Sequence, residues 1–286
     1  MGDGNFQQRK LRVIGSVIAV VPMNETMRST AFPAPDAFLQ DARALVLRDP
    51  QLSDLLGLDL EAMLHDGELI AGALAQALPV DVAAGFLRLA APLAAPGGAL
   101  FDILRDDCRV TASRDQDPGG AVTSLLFANG LQNLLAYRFT HHLSGAGRAT
   151  MAHALKTRFL RAFGADIMPE AQIGRRVWID HGLGLVIGQT AVIEEDVSLW
   201  HGITLGTNLV DRGEGRHPKI CRGAIIGAGV KLIGPIEIGE GAVVAAGAVV
   251  TENVPAGALF IGPKGRTLEG RARPPHELGI LIGELE

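Results

Sequence analysis

The stretch Ile187-Gly-Gln-Thr-Ala-Val-Ile193-Glu-Glu-Asp-Val-Ser-Leu199-Trp-His-Gly-Ile-Thr-Leu205 places a large aliphatic residue at every sixth position. The register extends backward through Ile179, Ile173 and Ile167. After a polar interruption it resumes at Ile220, Ile226, Leu232, Ile238, Val244 and Val250. A period of six matches neither the 3.6 of a helix nor the 2 of a simple strand. It is the pattern of a solenoid that stacks short parallel strands, one per hexad. Glycine or another small residue often follows the aliphatic one, as in Ile173-Gly174, Ile226-Gly227 and Ile238-Gly239, where a tight corner needs a permissive backbone. A flexible glycine-rich linker would not hold aliphatics in register.

The 36 glycines among 286 residues are divided unevenly, 21 of them in residues 170–286, so the chain reads as two unlike parts. Residues 36–163 carry helical spacing. Asp36 is placed to cap a helix bearing Phe38, Ala42, Leu45 and Val46. Asp59 opens a second through Leu60, Met63, Leu64, Leu69, Ile70 and Leu74, and Asp81 a third through Val82, Phe86, Leu87 and Leu89. Leu100–Val110 and Thr123–Phe139 continue the spacing, with Asp49-Pro50, Pro79, Ala95-Pro96-Gly97-Gly98 and Asp117-Pro118-Gly119-Gly120 as breakers. The predicted fold class is α+β with an extension over 1–34, a helical domain over 35–165, a coil over 166–262 with a loop at 206–219, and a tail over 263–286.

Composition excludes several classes. With 26 basic and 31 acidic residues and no long basic run, no nucleic-acid footprint is visible. Cys108 and Cys221 are far apart and unlike in setting, which offers neither a disulfide framework nor a cysteine metal site. The apolar run Val13–Met23 is too short to span a bilayer, and although Arg9, Lys10 and Arg12 precede it, no small-x-small cleavage site follows. It reads as an extension outside the fold, and a cytoplasmic location is the default.

Two breaks interrupt the hexads. Ile179 to Ile187 is eight residues and holds Asp180-His181-Gly182-Leu183-Gly184, and Gly206–Lys219 is a polar insertion holding Arg212, Arg216 and His217. Coils are rigid, so insertions emerge at an edge, where ligands bind.

Four segments carry a resemblance. They are Asp166-Ile-Met-Pro-Glu-Ala-Gln-Ile-Gly-Arg-Arg-Val-Trp-Ile-Asp180-His181-Gly, then Gly188-Gln-Thr-Ala-Val-Ile-Glu-Glu-Asp-Val-Ser, then Thr204-Leu-Gly, and Gly215-Arg-His-Pro-Lys-Ile220. Together they resemble serine O-acetyltransferase, the hexapeptide-repeat enzyme of cysteine biosynthesis. Arg114-Asp115 and Gly130-Leu-Gln-Asn-Leu-Leu-Ala-Tyr137-Arg138 extend the likeness into the helical half. The resemblance implies a left-handed parallel β-helix and acetyl transfer from acetyl-CoA to the hydroxyl of L-serine. Such a transfer needs a base for the hydroxyl proton, and histidine suits because it titrates near neutrality. The resemblance makes Asp166 and His181 the catalytic dyad, with His217 aiding. An amino-acid acceptor carries both charge signs, so Arg216 and His217 are suited to its carboxylate, and Asp180 with Asp115 to its ammonium. Asp117 competes with Asp115 for that place, because in this chain proline follows the second aspartate. Coenzyme A contacts are implied at Gly206, Ala228, Ala246 and Lys264, and no metal is expected.

The chain also departs from the family. Met168 stands where the family usually has histidine, and the sequence ends in Glu286, whereas members that dock into cysteine synthase end in isoleucine. Docking to that partner, and inhibition by cysteine, therefore do not follow. A homo-oligomer is implied, a trimer or a dimer of trimers. Two rival readings are a coil acyltransferase with another hydroxyl or amino acceptor, such as a sugar, and a zinc hydratase on the same coil. A sugar has no ion pair to satisfy. The hydratase needs a three-histidine site with a His-x4-His pair, which this sequence lacks. His201, in Leu199-Trp-His-Gly, sits within a regular hexad and reads first as coil surface.

Overall fold

The computed structural model describes residues 34–115, 119–213 and 215–263. Asp117, Lys264, the run Val13–Met23 and the terminal Glu286 therefore lie outside the described residues. Eight helices occupy the first part of the described chain: α1 Ala37–Arg48, α2 Gln51–Leu56, α3 Asp66–Ala75, α4 Val80–Ala94, α5 Phe101–Asp115, α6 Gly120–Phe127, α7 Asn129–Gly145 and α8 Ala149–Phe163. Their apolar faces meet in one core. At its centre Phe86 meets Phe139 and Phe159 edge to face, with centroids 5.2 and 5.3 Å apart. Among the described residues no helix is long and apolar enough to cross a membrane.

The helical half differs from the sequence reading at several points; α4, for one, starts at Val80 behind Pro79, so Asp81 lies inside its first turn. Asp59 does not open a helix. Its Oδ1 accepts the Ala62 N–H in a turn, and the Arg43 guanidinium donates to the carbonyls of Leu60 and Met63, holding that segment non-helical. The helix starts at Asp66 instead, with His65 as its cap. His65 Nδ1 accepts the Glu68 N–H, and Glu68 returns a carboxylate to the Leu64 N–H. Asp36 stands at the N-cap of α1, but its carboxylate accepts from Gln40 Nε2 and makes no capping bond. Thr123–Phe139 is two helices, α6 and α7, parted at Ala128, whose backbone is extended.

From Asp166 onward the chain winds into a left-handed parallel β-helix, as the hexads require. The strands are β1 Asp166–Ile167, β2 Gln172–Ile173, β3 Trp178–Ile179, β4 Val186–Ile187, β5 Val192–Ile193, β6 Ser198–Leu199, β7 Thr204–Gly206, β8 Lys219–Ile220, β9 Ile225–Ile226, β10 Lys231–Ile233, β11 Glu237–Ile238, β12 Val243–Val244, β13 Val249–Val250 and β14 Leu259–Phe260. They form three parallel faces in the orders β1-β4-β7-β10-β13, β2-β5-β8-β11 and β3-β6-β9-β12-β14. Each of the thirteen hexad aliphatics is the second residue of β1–β13, or the middle one where the strand has three, and every one is buried. Burying each such side chain contributes roughly 1.5–3 kcal/mol. A second set of buried small or aliphatic residues, two positions earlier (Ala171, Val177, Leu185, Val197, Ile203 and Val230 among them), packs between the three faces and completes the core.

The two parts meet along α7. Buried Arg138 donates Nε to Asp107 Oδ2 at 2.8 Å on α5, Nη1 to the Ile173 carbonyl at 2.6 Å and Nη2 to the Gly174 carbonyl at 2.7 Å. Tyr137 donates its hydroxyl to the Ala171 carbonyl at 2.6 Å and accepts the Ile173 N–H at 3.1 Å. One turn of helix thus satisfies the otherwise unpaired backbone of the first coil. Arg138→Met leaves Asp107 as an unpaired buried charge. It should lower unfolding free energy by about 3–5 kcal/mol in urea titration, well beyond a surface arginine change.

Candidate active site

The first coil is long by two residues. Strand β1 pairs with β4 as Asp166↔Val186, and β3 with β6 as Trp178↔Ser198, whereas β4 to β7 spans the regular eighteen, Val186↔Thr204. The extra residues fall at the corner after β3, where Asp180 and His181 sit. His181 adopts φ +58°, a left-handed backbone that the coil corners also give to Arg176, Asp196 and several glycines. Asn129, the first residue of α7, holds this corner by donating Nδ2 to the His181 carbonyl at 2.8 Å and to the Phe163 carbonyl at 3.0 Å. Gly130 lies so close that a Cβ there would stand 1.9 Å from the Ile179 carbonyl oxygen. The side chain of His181 is 69% exposed, with Nε2 3.5 Å from Asp180 Oδ2.

The in-register pairing of β3 with β6 carries one coil further and stacks His201 beside His181, the ring centroids 5.6 Å apart. His201 therefore belongs to this corner, and sequence reasoning did not place it there. Donor atoms of Asp180, His181 and His201 lie within 4.8 Å of one another, a group able to hold a cation where none was expected.

Asp115, at the end of α5, reaches the same side of the coil. Trp178 on β3 donates Nε1 to Asp115 Oδ1 at 2.7 Å, and its ring meets Trp200 edge to face at 4.9 Å. Arg114 anchors that helix end by donating to Ser198 Oγ at 2.8 Å and to the Asp196 carbonyl at 3.2 Å. Asp166 is placed differently from the pairing that the resemblance implies. Its carboxylate forms an ion pair with Lys156 of α8, and among the described residues it makes no contact with His181, whose neighbouring carboxylate is Asp180. The reason is positional: β1 is the first rung of the coil, and α8 packs directly against it.

His217 and Arg216 occupy another corner, between the face of β7 and the face of β8. His217 Nδ1 accepts from the Thr190 hydroxyl at 2.8 Å and faces the Thr190 N–H at 3.3 Å, while its own N–H donates back to Thr190 Oγ1. The ring packs against Gly188, where a Cβ would fall 2.0 Å from Cδ2. Burial lowers the His217 pKa and the Arg216 cation lowers it further, so the neutral ring is favoured. Arg216 donates to Gln189 Oε1 at 2.9 Å and to the Gly213 carbonyl at 3.0 Å. Gly206 ends β7, and Ala228 and Ala246 stack at the same corner of successive coils, after β9 and β12, where the Gly247 N–H donates to the Ala228 carbonyl at 2.8 Å.

Comparison with known proteins adds to this geometry. Residues 217–252 match the bacterial transferase hexapeptide family of six repeats. A serine acetyltransferase from Buchnera aphidicola is 38% identical over 164 residues, which is 57% of this chain and 60% of that protein's length. Serine acetyltransferase 2 of Arabidopsis thaliana is 37% identical over 238 residues, covering 80% of this chain and 72% of its own. This chain belongs to the serine acetyltransferase family. Among solved structures, the Brucella abortus serine acetyltransferase in complex with coenzyme A aligns at TM-score 0.73 and 31% identity over 80% of this chain and 92% of that one. The match thus spans less than two thirds of the Buchnera relative but nearly all of the Brucella structure.

The lowered pKa of His217 has a direct consequence. The unfolded chain, with histidine near 6.5, binds the proton more readily than the folded one, so this group's contribution is intact above that pH and is lost as pH falls below it. Urea midpoints measured from pH 7.5 to 5.5 should decline, and His217→Gln should flatten the decline.

Proposed function

We propose that this chain transfers the acetyl group of acetyl-CoA to the hydroxyl of L-serine, giving O-acetyl-L-serine and CoA. The observation that carries the reading is an exposed histidine in a left-handed backbone conformation, beside a carboxylate, at the corner where the coil departs from its repeat. His181 removes the hydroxyl proton as the serine oxygen attacks the thioester carbonyl. The tetrahedral intermediate then expels the CoA thiolate, which takes the proton back from the imidazolium. No covalent acyl-enzyme is required. In this reading Asp166 gives up its ion pair with Lys156 to become the dyad partner of His181, Asp180 and Asp115 take the serine ammonium, and Arg216 with His217 takes its carboxylate. For that, Arg216 exchanges its Gln189 contact for a two-pronged one with the carboxylate. Acetyl-CoA lies along the stacked small residues Ala228 and Ala246 and along Gly206 at the separate corner after β7, with Lys264 near a phosphate. Its co-substrate role is supported by the Brucella relative, solved with coenzyme A.

The helical domain over 35–165, the coil over 166–262 and a cytoplasmic location belong to the same proposal. So does a trimer, alone or paired. His181 sits at the corner between the faces of β3 and β4, and His217 at the corner between those of β7 and β8, so a second copy is needed to bring one to the other.

Purified protein should consume acetyl-CoA only when L-serine is present; turnover with other acceptors but none with serine overturns the choice of acceptor. His181→Ala should fold normally and lose about 10²–10⁴-fold in kcat. Trimers co-assembled from His181→Ala and His217→Ala chains should recover about a quarter of wild-type activity, since each mixed cyclic trimer restores one intact interface. Recovery no greater than the sum of the parents would place the whole site within one chain.

A further inference from the structure

We infer that Asp180, His181 and His201 form a reversible binding site for a borderline divalent cation of the zinc type. The argument starts from coil arithmetic. The two-residue insertion makes the first coil twenty residues long, so Trp178 pairs with Ser198 and Ile179 with Leu199. Continuing that register places His181 under His201, two imidazoles on adjacent rungs separated by roughly the strand spacing of 4.8 Å.

The donor set and its spacing fit such an ion. Zinc bonds of 2.0–2.2 Å in a tetrahedron require ligand atoms about 3.4 Å apart. His181 Nε2 and Asp180 Oδ2 already stand 3.5 Å apart, and all three donors lie within 4.8 Å. The exposed His201 ring closes the difference by a χ rotation. Two imidazoles and one carboxylate suit zinc or cobalt, whereas magnesium and calcium prefer all-oxygen sets. The His181 backbone is already held in place by Asn129, so little order is lost on binding. Three protein ligands leave a fourth position open to water.

The consequence for activity rests on the acetyl-transfer reading. A metal on His181 Nε2 occupies the lone pair that would take the serine proton, and it engages the Asp180 carboxylate that would meet the ammonium. Cation and serine then exclude each other, and the metal acts as an inhibitor competitive with serine.

Metal-free full-length protein is titrated with Co²⁺, read by visible absorption, and with Zn²⁺, read by equilibrium dialysis. One equivalent per chain with a tetrahedral cobalt spectrum is expected. His201→Gln should weaken binding by about 10–100-fold. Acetyl transfer is followed by loss of thioester absorbance, because zinc would also capture the CoA thiol. In wild type, raising serine should relieve zinc inhibition. His201→Gln, each rate taken relative to its own zinc-free turnover, should need at least about tenfold more zinc for half inhibition. Absence of stoichiometric binding, or binding unchanged in His201→Gln, overturns the site. Stoichiometric, His201-dependent binding in a chain with no serine-dependent turnover would leave the metal site standing and remove the acetyl-transfer reading.

Discussion

The coil depends on an inward aliphatic side chain recurring every six residues, packed against a second buried apolar residue two positions before it. A two-residue strand offers too little backbone pairing to stand alone. Stacking each rung on the next gives every strand partners above and below, but only if the inward residues stay in register. An insertion within a strand would turn an aliphatic outward and expose the column. Insertions are therefore confined to corners, and both found in this chain are at corners: two residues after β3, and the long loop between β7 and β8. The constraint that builds the coil also decides where it can carry chemistry.

The helical half converts the first of these corners into a defined shape. Gly130 brings α7 against the Ile179 carbonyl, and Asn129 fixes the His181 carbonyl. A corner carrying an αL non-glycine residue costs energy; here the strain is offset by the Asn129 hydrogen bond and by the Arg138 and Tyr137 contacts that lock α7 to the first coil. The Trp178–Asp115 bond adds the end of α5 to the same side. Helices that look like a separate domain in the sequence thus work as a clamp on one turn of the coil.

The coil was legible because its signal is long, periodic and buried: all thirteen hexad aliphatics are interior positions. The corners at His181 and His217 were legible as failures of that period. The helical half was less so, for physical reasons. Leu60 to Leu64 carry helical spacing, yet Arg43, seventeen residues before Leu60, takes their carbonyls. Ala128 has no breaker signature, but Asn129 is drawn to a carbonyl fifty-two residues away, and the helix divides there. The partners of the site, Lys156 on Asp166, Trp178 on Asp115 and Thr190 on His217, are likewise products of packing between distant segments. The stacking of His201 on His181 is an intermediate case. It could have been counted from the two extra residues, had the coil length been followed one rung further.

The two special corners also bear on why a rigid scaffold carries this site. A coil of short strands does not bend, so the distance between the His181 corner and the His217 corner of one chain is fixed by the width of a face. Neither lid nor hinge within the coil can close that distance. The groups differ in kind as well. His181 is exposed, with Nε2 beside the Asp180 carboxylate, while His217 is set into Thr190 and Gly188 and its neutral form is favoured by burial beside Arg216. An exposed base suits proton transfer to a mobile acceptor, and a sunken neutral ring beside a cation suits recognition of an anion. Splitting these tasks between corners gives each its own solvation. In the proposed trimer their meeting depends on how copies pack, which would link the chemistry of the corner to the assembly of the coil.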